Sequence, residues 1–269
     1  MDVLSAIILG LVQGIMEFLP VSSSGHLILV REALSVDDVN QLAMDGILHL
    51  STTLAIMVYF WGDIWVLIQT FMRKLGKLPV NEKDLTLLYA LLVGTIPAVL
   101  LGLLLEPLFD KYLNHALVVV SVLFVSAIFF MYAEWRYYLN PPQDTITVRR
   151  GWQVGLFQAL ALLPGFSRSG ATLAGGMLLG LTRYEAARFS FLLAIPITLG
   201  FGTKKLLDLL VIEGEVNWLP IMLGASISFV TALIVIHFFL AFIRRYTLWP
   251  FIWYSIVLSL TIFYFTLFV

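Results

Sequence analysis

The chain has 269 residues, of which 60% are hydrophobic and only 12% charged, with a formal net charge of −1. Soluble domains carry about a quarter charged residues, so this composition points to an integral membrane protein. The absence of cysteine excludes disulfides, thiolate metal sites and cysteine nucleophiles.

A membrane-spanning helix needs about 20 apolar residues, because a rise of ~1.5 Å per residue must cross ~30 Å of hydrocarbon. The first residues, MDVLSAIILG, lack the positive n-region of a cleavable signal, and none is expected. Residues 3–30 are apolar at both ends but contain Glu17, Pro20 and the run Ser22-Ser23-Ser24-Gly25. Residues 45–72, 85–105 and 112–133 each read as one span. Residues 152–182 repeat the interrupted pattern, with Pro164-Gly165 and Arg168 at the centre. The spans 184–212, 218–243 and 246–268 complete the chain. The first of these three is the weakest, since it holds Pro196 and runs into Lys204 and Lys205.

The two interrupted stretches are expected to be pairs of short helices. Proline lacks the backbone donor and glycine tolerates non-helical angles, so helices stop there. Irregular backbone at membrane depth survives only inside protein or beside a wet cavity, which suits a re-entrant hairpin. With two hairpins and six spans, eleven basic residues fall on one side of the membrane: Arg73, Lys74, Lys77, Lys83, Arg136, Arg149, Arg150, Arg183, Arg188, Arg244 and Arg245. Four fall on the other: Arg31, Lys111, Lys204 and Lys205, with Arg168 left at membrane depth. Eight full spans would divide them nine to six, a weaker bias. The expected fold is therefore an all-α integral membrane protein, a single polytopic domain of six transmembrane helices plus two re-entrant helical hairpins. Both termini lie outside the cytoplasm on this reading.

A shift of 145 residues lays GLVQGIMEFLPVSSSGH (10–26) on GLFQALALLPGFSRSGA (155–171) without a gap. Six of the 17 positions coincide, among them Gln13/Gln158, Ser22/Ser167, Ser24/Ser169 and Gly25/Gly170. Each copy, about 1–139 and 151–269, reads as one hairpin followed by three spans. Three is odd, so the copies form an inverted-topology repeat, an arrangement that brings broken helices together near the bilayer midplane. Ser22–Gly25 and Ser167–Gly170 are each expected to cap a short helix, whose N-terminal amides and dipole attract anions. The expected ligand is strongly anionic at one end.

Glu17 and Gln13 are one helical turn apart and face the same way. An ionisable group at membrane depth is a functional candidate by default. His26 lies three residues after Ser23, a spacing suited to a serine nucleophile and its base. Arg168 offers a planar fork to phosphate oxygens, or else a salt bridge to Glu17 or Asp208. Ser167, Ser169 and Thr172 add hydroxyl donors beside it. His49, His115 and His237 lack such company and read as structural or interfacial, as do Asp45 and Asp63. There is no phosphate-cradling loop, HExxH, dinucleotide fingerprint or basic stripe for nucleic acid, which narrows the chemistry to lipids or small anions.

QGIMEFLPVSSSGH resembles the first signature of the undecaprenyl-pyrophosphate phosphatases, the bacitracin-resistance protein family, in which a glutamate or glutamine precedes Glu by four residues and P-V-S-S-S/T-G-H follows. PGFSRSGAT is similar to the second, P-G-x-S-R-S-x-x-T. The resemblance covers the whole chain. It implies an enzyme of the bacterial inner membrane, open to the periplasm, that hydrolyses undecaprenyl pyrophosphate to the monophosphate carrier of peptidoglycan and other envelope glycans. It also implies that Glu17, Ser23, His26 and Arg168 are catalytic. The phosphate would lie among Ser22, Ser24, Gly25, Ser167, Arg168, Ser169, Gly170 and Thr172. The family's divalent cation, Mg2+ or Ca2+, is expected at Glu17 and Gln13, where the neutral glutamine removes one carboxylate from the ligand set. Partners are then the prenyl pyrophosphate lipid and the bilayer, with no nucleic acid. A transporter or flippase of an anionic prenyl-phosphate lipid is the alternative, because inverted repeats with broken helices are common among carriers. An intramembrane serine protease would give Arg168 no role.

Overall fold

The computed structural model describes residues 2–36, 41–112, 116–140, 142, 145–211 and 217–268. Two helices, α1 (Val3–Met16) and α2 (Ser23–Leu34), form the first broken stretch, and α7 (Val148–Ala159) and α8 (Arg168–Leu178) form the second. The longer elements between and after them are α3 (Gln41–Tyr59), α4 (Trp61–Leu75), α5 (Glu82–Tyr112), α6 (Ala116–Leu139), α9 (Arg183–Val211), α10 (Trp218–Ile243) and α11 (Trp249–Phe268). No strand occurs among the described residues. The longest of the four short helices, α1, has 14 residues, about 21 Å, so none of them crosses ~30 Å of hydrocarbon alone.

Among the described residues, five helices are long and apolar enough to cross a membrane, or six if α3 and α4 count as one broken span. The chain is thus an all-helical, multi-pass membrane protein. α10 covers the expected span 218–243 residue for residue. The expected span 45–72 is not a single rod, because α3 and α4 meet at Phe60 with a bend of 78°. Past the bend the sequence turns amphipathic, and Asp63 in the first turn of α4 is held by Arg188 of α9. The expected span 112–133 continues instead to Leu139. It passes Glu134 because that carboxylate is fully buried yet paired. Glu134 accepts from Arg183 Nε at 3.0 Å and from the backbone N–H of Leu248 at 2.6 Å. α9 runs unbroken through Pro196, and Thr198 donates to the Ala194 carbonyl at 2.9 Å just beyond it.

Two crossings are mirror images in sequence. α1 packs along α10, and α7 packs along α5. Glycines allow the contact in both: a Cβ on Gly10 would sit 2.2 Å from the Gly224 carbonyl oxygen, and one on Gly155 would sit 2.1 Å from that of Gly94. Between them α3 packs on α9, where Thr53 donates to Thr198, 145 residues away, at 2.7 Å. The aromatic core surrounds this centre, with Phe191 in edge-on contact with Phe18 and Phe60 and in tilted contact with Phe239.

Removing Glu134 strands a guanidinium and a backbone donor in the interior. Glu134→Ala is expected to cost about 3–5 kcal/mol, the scale for breaking a buried pair on one side. Reversible unfolding in detergent measures it, and a loss below about 1 kcal/mol would show that the pair does not hold α6, α9 and the start of α11 together.

Candidate active site

The break in each short pair is set by local chemistry. α1 ends at Glu17, whose N–H reaches the Gln13 carbonyl at 3.0 Å, and the turn through Pro20 leads to Ser22 with φ of +66°. That backbone is uncommon for a side chain larger than glycine, and such strain gathers at functional sites. Ser22 then caps α2, accepting from the Gly25 N–H at 3.4 Å. In the second pair Gly165 takes φ of +96°, with no room for a Cβ beside the Val119 carbonyl, and Ser167 caps α8 through the Gly170 N–H at 3.1 Å. The two caps are 145 residues apart, the same offset that aligns the two stretches in sequence. The amides of Ser23 and Ser24, and those of Arg168 and Ser169, lack intrahelical acceptors and carry the positive end of each helix.

The tips of the two pairs are bonded to each other. The hydroxyls of Ser167 and Ser169 both donate to the Leu19 carbonyl, at 3.3 and 3.1 Å. Across the same junction Arg168 Nη2 is paired with Glu17 Oε1. Asp208, the other predicted partner of Arg168, lies 3.9 Å from Lys205 instead. The second oxygen of Glu17 accepts from Ser23 Oγ at 2.8 Å and from Gln13 Nε2 at 2.9 Å, and lies 3.2 Å from His49 Nδ1. Glu17 is therefore the hub that joins Gln13, Ser23, His49 and Arg168. Beside it is a cavity of about 270 Å³, walled on the polar side by Glu17, Ser22–Ser24, His49, Gln158, Ser167, Arg168 and Thr198. Its apolar wall includes Ala98, Leu162, Phe166, Ile197 and Phe201. A larger groove of about 760 Å³ between Phe238, Phe242 and Phe251 contains none of the predicted site residues.

Several predicted residues stand elsewhere or do other work. His26 is not brought to Ser23. Its Nδ1–H donates to the Ser22 carbonyl at 2.8 Å, and its Nε2 accepts from the Tyr254 hydroxyl at 2.7 Å. The reason is helical geometry: His26 is four residues past Ser22, so its ring folds back over the cap rather than toward the cavity. Thr172 donates to the Arg168 carbonyl at 2.9 Å, touches Ser190 Oγ at 2.5 Å, and does not line the cavity. The N–H groups of Gly25 and Gly170 are taken by the capping hydroxyls, and the hydroxyls of Ser167 and Ser169 hold the tips together. Ser22, Ser24 and Arg168 do face the cavity. Asp45 forks with Arg31, and His237 meets Tyr59 at the surface, whereas His115 lies outside the described residues.

His49 is the member that sequence reasoning set aside. Gln13 Nε2 approaches its Nδ1 at 2.9 Å, the ring packs edge-on against Phe201, and the hub depends on it. The signal was present in MDGILHLSTT, where a second ionisable group follows Asp45 by one turn in the middle of an apolar helix.

The family model described as "Bacitracin resistance protein BacA" matches residues 6–261. The chain belongs to this family. A protein of Alteromonas mediterranea named undecaprenyl-diphosphatase is 38% identical over 98% of this chain and 99% of its own length. One of the same name from Saccharophagus degradans is 40% identical over 98% of both chains. Another from Micrococcus luteus is 38% identical over 95% of this chain and 94% of its own.

The divalent cation expected of a BacA-family chain has a limited seat here. Among the described residues no three His, Asp or Glu side chains gather as ligands. Gln13 Oε1, however, is buried without a hydrogen-bond partner beside the Glu17 carboxylate. These oxygens fit a hard cation, whose remaining ligands must come from substrate and water, since six or more are needed.

The free guanidinium edge decides what the pocket attracts. Arg168 Nη1 is buried and unpartnered among the described residues, while Nη2 is engaged by Glu17. An incoming anion must compete with that carboxylate. With divalent cations chelated, Glu17→Gln is expected to bind inorganic pyrophosphate roughly tenfold more tightly than the parent, the scale of one charge-assisted hydrogen bond. Calorimetry in detergent reads this directly, and unchanged or weaker binding would mean that anions do not displace Glu17 from the arginine.

Proposed function

We propose that this chain hydrolyses undecaprenyl pyrophosphate to undecaprenyl phosphate and inorganic phosphate, at a site built from Ser23, Glu17, His49 and Arg168. The reading rests on membership of the BacA family. The single geometric observation behind it is a serine hydroxyl donating to a buried carboxylate that also holds an arginine, at the joined starts of two helices. An anion carrier has no use for a nucleophile already bonded to a base, and this pairing favours the enzyme.

The terminal phosphoryl group sits against Arg168 and the free amides of α2 and α8, which stabilise the charge that develops on its oxygens. Ser23 Oγ attacks the terminal phosphorus while its proton passes to Glu17. The bond to the bridging oxygen breaks, and Glu17 returns the proton to the departing prenyl phosphate. Water then attacks the phosphoserine, its proton moving through Glu17 to the Ser23 oxygen, and inorganic phosphate leaves. His49 and Gln13 hold the carboxylate in place behind these steps. His26, predicted as the base, acts on this reading by fixing the cap at Ser22. A divalent cation, Mg2+ or Ca2+, held by Glu17 and Gln13 Oε1, would supply further neutralisation of pyrophosphate charge.

The architecture proposed with this function is six spans and two re-entrant hairpins, α1–α2 and α7–α8, in two inverted repeats. The mirrored glycine crossings and the Thr53–Thr198 bond support it, and so does the eleven-to-four division of basic residues. In that orientation both termini and the opening of the site face the periplasm.

Phosphate release from a prenyl pyrophosphate by the purified protein in detergent tests the function. Arg168→Ala is expected to lower kcat/KM by at least about 10²–10³-fold, and Arg168→Lys to recover little, because a point charge cannot replace the fork. Ser23→Ala should lose turnover while remaining folded, and acid quenching of the parent should trap phosphate on Ser23. A Ser23→Ala protein with near-parental turnover would eliminate the covalent route. Chelation is expected to suppress release and added Mg2+ or Ca2+ to restore it, whereas full activity in chelator would remove the cation.

A further inference from the structure

Gln158 presents an unused amide to the same cavity. It is 2% exposed, near the end of α7, and among the described residues neither its Oε1 nor its Nε2 has a hydrogen-bond partner. Buried polar side chains are almost always paired, so an amide left empty at both atoms requires an explanation. Its counterpart 145 residues earlier, Gln13, spends its amide on Glu17 and His49. Gln158 has no such partner within its own copy, because Leu162 stands where Glu17 stands in the first. The repeat has therefore been divided between two tasks. One glutamine supports the carboxylate, and the other is open toward whatever fills the cavity.

The chemistry of the surroundings identifies that occupant. Arg168 Nη1 is a second buried donor without a partner, so the cavity holds unused N–H groups on two of its elements, α7 and α8. An anion with several oxygens satisfies both at once. The terminal phosphoryl group has to lie beside Ser23 and the Arg168–Glu17 pair, and Gln158 is bonded to none of these three. We infer that Gln158 binds the second phosphate of the pyrophosphate, the one attached to the prenyl chain. This rests on the reading of the chain as a prenyl-pyrophosphate phosphatase. A neutral amide suits the position. It donates Nε2–H to an ionised phosphate oxygen, without adding a charge that would retain the monophosphate product.

The test uses the full-length protein in detergent with farnesyl pyrophosphate as substrate and two inhibitors, farnesyl phosphate and inorganic phosphate. Farnesyl phosphate reports on the second-phosphate position, and inorganic phosphate on the terminal one. In Gln158→Leu, KM for farnesyl pyrophosphate and the inhibition constant for farnesyl phosphate are both expected to rise about tenfold to hundredfold, the worth of a hydrogen bond to a charged group. The inhibition constant for inorganic phosphate should not move. Gln158→Glu, of the same shape but anionic, should raise KM further. It also stands in for the leucine variant if that protein does not fold. If the parent releases no phosphate, the proposed function falls. If the parent is active and the folded Gln158 variants keep their KM and farnesyl-phosphate inhibition, the assignment of Gln158 alone is overturned. It is equally overturned if inorganic phosphate weakens in parallel, since Gln158 would then belong to the terminal position.

Discussion

A guanidinium inside a membrane protein must be matched by charge, and the pairing of Arg168 with Glu17 is the constraint from which the rest of this structure follows. The partners belong to different copies of the repeat, so each can be buried only if both broken helices reach the same point. The turns after α1 and α7 are kept at that point by Pro20 and Gly165, by two serine caps and by the Leu19 carbonyl. Once the tips are joined, two helix starts share one small volume with a cation and a carboxylate. That combination provides positive potential for an anion without leaving an isolated charge when the anion is absent.

The surrounding helices serve this junction at close range. α1 and α7 are held against α10 and α5 by glycine contacts too tight for any side chain, so the tips inherit their positions from backbone packing. The α3–α9 contact supplies His49 from one side and Thr198 from the other, with the Thr53–Thr198 bond between the two helices. The buried Glu134–Arg183 pair fixes the far end of the bundle, where α6, α9 and the start of α11 meet. Among the described residues the buried charges Glu17, Arg31 and Glu134 are each neutralised by an opposite charge from another part of the chain.

Much of this was legible in the order of residues. Proline, glycine and serine mark where α1 and α7 stop and where α2 and α8 begin, because those effects are local to a few residues. The match between Ser22 and Ser167 marks both caps in the sequence. Partner choice was not legible. His26 folds over Ser22 for a local reason, but its second partner, Tyr254 of α11, lies more than two hundred residues later. Asp45 and His49 look alike in an apolar helix until one is found beside Arg31 and the other beside Gln13. The span ending at 133 was cut short for the same reason, since Glu134 counts as a charge in sequence and as half of a neutral pair in the fold. The bend at Phe60 had no proline or glycine run to announce it, only a change of periodicity beyond it.

The double hydrogen bond from Ser167 and Ser169 to the carbonyl of Leu19 is made to backbone rather than to a side chain, and this bears on how the chain can vary. Any residue at position 19 offers the same oxygen, so exchange of its side chain is tolerated as far as the tie is concerned. Turn length is another matter: one residue inserted or deleted between Glu17 and Ser22 would rotate that oxygen away from both hydroxyls and carry the carboxylate out of reach of the arginine. Relatives that keep this junction are free to drift in spelling there, but not in number.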